Sequence, residues 1–357
     1  MENDFFTYTE QLLKSESPFI AYRLPNEGLK VTTALIDKAK ECDFSLFKKP
    51  ISNRGFIFFP FDLKCEKGWW FTTKMSKNFY LKSEKREPKN FIDIKIVADS
   101  ANQKKEYYKQ FDSMMSSLSK GDVKKVILSR VVNVEENLIP RLANVFSKLA
   151  TNNPKAFVYI VATPQGDIWT GASPEILLSK EESHYTTVSL AGTRRSTEKT
   201  ENYWSSKERD EQMMVSSYID KILNNHNITN YSKKGPYISE AGDINHLKTV
   251  YKFHQDDLTN LPLFIEELHP TPALCGEPKE AARKIIKETE KHNRLYYGGF
   301  LGPATNDSVN LFVNIRCMLT NKRYSSIFAG GGLTRDSSKE DEWNETLLKC
   351  KTLLSAI

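Results

Sequence analysis

The chain lacks what would place it in a membrane, a disulfide scaffold or a familiar nucleotide fold. No stretch of eighteen or more consecutive apolar residues occurs among its 357 residues, so no transmembrane helix is expected. Its cysteines, Cys42, Cys65, Cys275, Cys317 and Cys350, are odd in number and scattered, with no C-x-x-C pair. Neither a disulfide framework nor a zinc site is indicated. The opening M-E-N-D-F-F has no basic segment leading into an apolar one, and a reducing, cytoplasmic location is expected. The glycines at 330–332 are not followed by G-K-[ST] at Walker A spacing and do not form G-x-G-x-x-G. No H-E-x-x-H, no serine or cysteine nucleophile motif and no short-period repeat is present.

Blocks of one charge are missing too. The net charge is +6 and the isoelectric point about 8.8, but lysine and glutamate are interspersed. The densest basic run, K-S-E-K-R-E-P-K at 82–89, is itself broken by glutamates. No nucleic-acid-binding motif is recognisable, and a modest basic excess suits a small anionic substrate.

What is present is a series of strands and turns carrying polar groups. The stretch W-T-G-A-S-P-E-I-L-L-S-K sets Glu175 directly after Ser173-Pro174, and L-A-G-T-R-R-S makes a second turn at Ala191-Gly192-Thr193. Turns held by a scaffold often carry binding groups, though an ordinary hairpin rim with a solvated glutamate fits the same letters. Residues 56–60 and 69–71 read as buried strands, and 84–89 as an exposed loop. A helix is expected over 106–118, ended by Gly121-Asp122.

Residues 123–134, V-K-K-V-I-L-S-R-V-V-N-V, read as a central strand that is apolar on both faces. Lys125 then points into an apolar layer or snorkels out near the strand start. A helix over 140–149, strands over 156–162, 168–178 and 186–190, and a long helix over 203–223 follow. In that helix Glu208 and Glu211 continue the apolar stripe of Val215, Tyr218 and Ile222, about a turn or more past its start. Buried carboxylates there call for a metal ion or a buried cation.

The last third begins a strand at 246–249, followed by the rigid loop H-P-T-P-A. A helix over 278–289 and a strand over 296–303 come next. Residues 311–319 read as one alternating strand with Arg316 on the face opposite Leu311 and Val313, where solvent is the default. The 326–333 segment runs from a strand through glycines toward a terminal helix, with a capping box expected from Ser337 and Glu340. Glu342, Glu345 and Lys349 share one face of that helix, as a solvated ion-pair row would.

Together these motifs resemble the chorismate-utilising enzymes. The matching residues are Lys125 in K-V-I-L-S-R, Glu175 in G-A-S-P-E, L-A-G-T, K-E-R-D-E at 207–211, His246 in H-L-K-T, H-P-T-P-A-L-C-G, Arg316 in N-I-R-C, A-G-G-G, and E-W-N-E-T at 342–346. They run in order through residues 105–357, while 1–95 correspond to a part that varies in the family. The resemblance implies an α+β fold of antiparallel sheets packed face to face with helices outside, in one domain over 1–357. Lys125, Ala191 and the proline loop are similar to members that isomerise chorismate to isochorismate. A salicylate-forming activity is the near alternative. A non-catalytic binding protein is the remote one, against which the retained catalytic groups speak.

The resemblance also assigns roles. Lys125 would be the base and Glu175 the acid, which requires a neutral lysine and a protonated glutamate, both favoured by apolar surroundings. Glu211 and Glu345 would hold Mg²⁺, with Glu208 and Glu342 behind them. Gly192, Thr193, His246 and Ala273 would line the ring pocket. Arg316, the backbone near Gly330 and Lys349 would meet the enolpyruvyl carboxylate. Chorismate is the expected partner, with no nucleic acid and no membrane, and a monomer is expected. Two departures stand out: Gln212 replaces a histidine usual beside the metal ligand, and 252–257 diverge from the pattern.

Overall fold

The computed structural model describes residues 4–48, 51, 53–81, 101–195, 204–241, 244–255, 260–305 and 307–357. The loop expected at 84–89 and the last two residues, 256 and 257, of the divergent stretch 252–257 lie outside them. The strands are β1 (Phe19–Arg23), β2 (Lys30–Cys42), β3 (Gly55–Phe59), β4 (Gly68–Tyr80), β5 (Lys125–Val134), β6 (Phe157–Ala162), β7 (Ile168–Ser173) and β8 (Ile176–Glu181). They continue as β9 (His184–Arg195), β10 (Tyr231–Ala241), β11 (Ile244–His254), β12 (Gly276–Glu277), β13 (Phe300–Ala304), β14 (Ser308–Val313), β15 (Cys317–Thr320) and β16 (Ser325–Leu333). The helices are α1 (Phe5–Lys14), α2 (Ala101–Lys120), α3 (Leu142–Asn152), α4 (Ser206–Asn225), α5 (Leu261–Leu268), α6 (Lys279–Thr289) and α7 (Lys339–Leu354).

The strands form one hydrogen-bonded ladder in the order β10-β11-β9-β8-β14-β13-β3-β4-β2-β1-β6-β7-β15-β16-β5-β12. Strands far apart in that order nonetheless touch. Phe157 of β6 stacks on Phe312 of β14 with ring centroids 4.2 Å apart, and Phe58 of β3 meets Trp169 of β7 edge-on. The sheet therefore doubles over, and its two halves face each other across a layer rich in aromatic rings. Helices cover the outer faces: Phe146 of α3 and Leu353 of α7 on one side, Met114 of α2 and Ile286 of α6 beside β5, and Ile219 of α4 with Phe264 of α5 over β8, β11 and β14. The expected face-to-face α+β architecture is present, its two layers being halves of one continuous sheet. Strands β1–β4 supply the middle of the ladder, with β1 paired to β6 and β3 to β13.

Several expected boundaries move, each for a physical reason. The strand read over 311–319 is two strands, because β14 pairs with β8 and β13 while β15 pairs with β7 and β16 in the other half. The chain crosses between halves at 314–316, where Arg316 takes φ +50°. Asn314 holds the crossing by donating to the Tyr296 carbonyl at 2.9 Å and accepting from the Tyr159 hydroxyl. Apolar residues alternate straight through this break because both halves are buried, so the pattern hides it. Of the strand read over 296–303, only Phe300 onward pairs, and Tyr296 and Tyr297 sit in a turn. The glycines 330–332 lie inside β16 rather than in a loop beyond it. The terminal helix is capped one residue later than expected: Ser338 accepts from the Asp341 amide, and Ser337 instead bonds Glu342 at 2.8 Å.

One buried ion pair ties β5 to the loop after α5. Arg294 bonds Glu290 at 2.6 and 2.9 Å and donates to the carbonyls of Leu274 and Ile127. Glu290 also accepts from the amide and hydroxyl of Ser129 at 2.7 and 2.8 Å. Arg294→Met would leave the buried Glu290 without its cation and two carbonyls without donors. Denaturant unfolding of that variant is expected to show a loss of about 3–5 kcal/mol. A loss below about 1 kcal/mol would contradict the clamp.

Candidate functional site

Glu175 is placed by the crossing of the chain from one half of the sheet to the other. β7 and β8 do not pair with each other, so Ser173-Pro174-Glu175 is not a hairpin rim. The Glu175 carbonyl accepts from the Val313 amide at 3.0 Å, which pins the crossing to β14. Its side chain is 2% exposed, and Oε1 has no hydrogen-bond partner. Burial pushes its pKa up to about 8, against the opposing pull of Lys125, Lys248, Lys349 and Arg316. At neutral pH this carboxyl carries a proton.

Around Glu175 lies a cleft of about 660 Å³ including its open mouth, within the range of small-molecule sites. Of the residues singled out from the sequence, Glu175, Gly192, Thr193, Glu211, His246, Ala273, Arg316, Gly330 and Lys349 line it. A bulge between β9 and β11 explains the turn at Gly192: Asn245 faces Arg194 but Leu247 faces Ala191, so Gly192 and Thr193 together oppose His246. Gly192 has φ +72°, a conformation in which a side chain is strained. Its carbonyl receives the Nδ1 proton of His246 at 2.8 Å. The histidine Nε2 then accepts from the Arg316 guanidinium at 2.6 Å. Burial, with Arg316 beside it, holds the His246 pKa well below the usual value, so the ring stays neutral. His246 therefore orients Arg316, which is buried and does not face solvent. Burial also lowers the Arg316 pKa to about 10, still charged at neutral pH.

Lys125 lies directly behind the glycines of β16. It is fully buried, with its ammonium 2.8 Å from a Glu211 carboxylate oxygen. It does not snorkel out. Burial would raise the Glu211 pKa, but Lys125, with Lys349 and Lys207, outweighs it and the net shift is downward. Glu345 is paired with Lys349 at 2.8 Å, and Lys349 also donates to the Gly330 carbonyl at 2.7 Å. Glu342 is 1% exposed and paired with Lys207 at 2.7 Å, while its Oε2 has no partner. The face read as a solvated row is thus turned into the protein at Glu342. A β-carbon on Gly331 would come within 2.7 Å of Glu342 Oε2, and one on Gly332 within 2.6 Å of Glu211 Oε1. The glycines of β16 are what allow these carboxylates to approach the strand.

Glu208 stands apart from this group. Helix α4 begins at Ser206, so Glu208 is in its first turn, where it accepts from the Ser205 amide at 2.8 Å and reaches Arg194 at 3.5 Å. It is the carboxylate of a capping box. A helix beginning at 203, as expected from the sequence, sets it three residues deeper in the stripe than the observed start at Ser206 does. Gln212, in place of the usual histidine, is buried within reach of Ser189, Ser216 and Thr249 hydroxyls, and so ties α4 to β9 and β11.

Among the described residues, no three histidine, cysteine or acidic groups converge as a ready-made metal cage. A hard divalent cation needs less, since one or two carboxylates with water and substrate oxygens suffice for Mg²⁺. Glu211 and Glu345 supply such donors, and the orphaned Oε2 of Glu342 lies beside the space that Gly331 leaves open. The donor set fits that cation. Sequence reasoning did not single out Ile127, Leu190, Tyr297, Ile315 and Phe328, which form the apolar walls. Nor did it single out Lys207 and Lys248, whose charges act on Glu342 and Glu175. Apolar strand residues carry no signal that separates wall from core, whereas the lysine within K-E-R-D-E was visible as part of a motif.

Known proteins resemble the chain in sequence and in fold. Isochorismate synthase EntC of Escherichia coli strain K12 is 29% identical over 242 residues, which cover 65% of this chain and 62% of that protein. The chain thus spans less than two thirds of that relative's length. The vibriobactin-specific isochorismate synthase of Vibrio cholerae is 29% identical over 262 residues, covering 70% of this chain and 66% of that one. In fold, the chain is similar to MenF, the menaquinone-specific isochorismate synthase of Escherichia coli, with TM-score 0.80 at 17% identity over 98% of this chain and 90% of the other. Residues 64–357 match the family model described as "Chorismate binding enzyme", and the chain belongs to that family.

Proposed function

We propose that the protein is an isochorismate synthase that uses Mg²⁺ to isomerise chorismate to isochorismate, for menaquinone or catechol siderophore synthesis. The observation that carries this reading is Glu175, a buried carboxyl that keeps its proton at neutral pH in a cleft bordered by Arg316 and Lys349. The reaction needs such an acid. Water adds at C2, both ring double bonds shift by one position, and the C4–O bond breaks. Hydroxide is a poor leaving group, so Glu175 gives its proton to the departing oxygen. Lys125, once parted from Glu211 and having given up its own ammonium proton, takes a proton from the attacking water as a neutral amine. Arg316, held by His246, receives one substrate carboxylate in a charge-assisted pair. Bound beside Glu211 and Glu345, Mg²⁺ would supply positive charge for the other carboxylate and for the Glu211 oxygens that otherwise pair with Lys125. The relatives named as isochorismate synthases support the assignment of reaction.

Chromatography of chorismate incubated with the purified protein is expected to show isochorismate in equilibrium with chorismate, formed only when Mg²⁺ is present. Salicylate with pyruvate would move the activity to a salicylate synthase. No turnover by folded protein would refute the reading. Glu175→Gln and Lys125→Met are each expected to lower kcat by about 10²–10⁴-fold.

The acid is loaded only below its pKa of about 8, so kcat/KM is expected to fall as pH rises through about 8. The same proton affects stability. The unfolded carboxyl titrates near its ordinary value of 4.5, so between pH 4.5 and about 8 the folded state holds a proton that the unfolded state has lost. Glu175 therefore makes stability fall as pH rises across that window. Glu175→Gln removes this slope, and thermal melts should show the variant gaining on the parent from pH 5 to pH 8. Parallel curves would contradict the assignment.

A further inference from the structure

Each carboxylate near the glycines of β16 has its own lysine: Lys125 for Glu211, Lys349 for Glu345 and Lys207 for Glu342. Lys125 has a role in the proposed reaction and Lys349 lines its cleft, whereas Lys207 does neither. It occupies the first turn of α4, where the helix dipole disfavours a positive charge. Its partner is on another helix, 135 positions away in the chain. Lys207 lies one turn before Glu211 on α4, and its charge is felt by Glu342, Glu345 and Glu211 alike. Glu342 is held on one oxygen by Lys207 and Ser337, at 2.7 and 2.8 Å. Its other oxygen is buried and unpartnered beside the gap at Gly331.

We propose that Lys207 is a tethered counter-ion of the acidic site, competing with the divalent cation and setting how tightly that cation is held. An ammonium group at the rim neutralises carboxylates that would otherwise repel one another without metal. It also opposes an arriving divalent charge and occupies an oxygen of Glu342. Removing it leaves Glu342 held by Ser337 alone and strengthens attraction for the cation. This inference rests on the Mg²⁺ reading above.

Calorimetric titration of MgCl₂ into the full chain without substrate, at fixed pH and ionic strength, tests it. Lys207→Met and Lys207→Gln are expected to bind Mg²⁺ about tenfold more tightly than the parent, the order produced by removing one unit charge a few ångströms from a divalent ion in a solvated cleft. Lys207→Arg keeps the charge and should bind within about twofold of the parent. The rise in melting temperature on adding MgCl₂ should be larger for the neutral variants. Neutral variants that bind equally or more weakly would overturn the proposal, as would their failure to fold, since Lys207 would then be an anchor between α4 and α7. A parent that shows no Mg²⁺ binding would refute the metal reading itself.

Discussion

The burial of a carboxyl group at the point where the sheet doubles over is the constraint on which the rest of the site depends. Glu175 is carried on a crossing between the two halves, and its backbone is fixed by β14 of the half it enters. A carboxylate in that position would be costly to ionise. The protein meets the cost by leaving the proton in place, with cations arranged close enough to moderate the shift without reversing it. A group that is ordinarily a base near neutral pH is thereby converted into an acid.

A second crossing, at 314–316, serves the same cleft from the other direction. Had 311–319 been one strand, Arg316 would point to a sheet face. The break with φ +50° at Arg316 brings its guanidinium to His246, and the β9–β11 bulge brings His246 to the Gly192 carbonyl. Two irregularities of the backbone thus assemble one chain of contacts from carbonyl to imidazole to guanidinium. The neutral histidine has both nitrogens occupied, so its part is orientation rather than proton transfer.

The fold class and most of the site were legible because the motifs fall at strand ends and helix starts, where residue type is constrained by chemistry. Lys125 could be read as buried because its strand is apolar on both faces. The carboxylates of α7 could be placed on one face from their spacing. The crossing at Arg316 was not legible, because a strand that leaves one buried layer for another keeps its alternation. Glu208 falls three residues nearer the helix start than expected, which makes it the carboxylate of a capping box. The lysine partners of Glu211 and Glu342 come from elements distant in sequence, and no local pattern announces such pairs. Gly331 and Gly332 looked like a loop, whereas their service is to leave room inside a strand.

The measurement closest to the central claim is the protonation state of Glu175 itself, by infrared difference spectroscopy of the parent against Glu175→Gln from pH 5 to pH 10. A carboxylic acid carbonyl band present at pH 7 and lost around pH 8 is the predicted result. A band already replaced by carboxylate absorption at pH 6 would contradict the account, because Glu175 would then hold no proton to give.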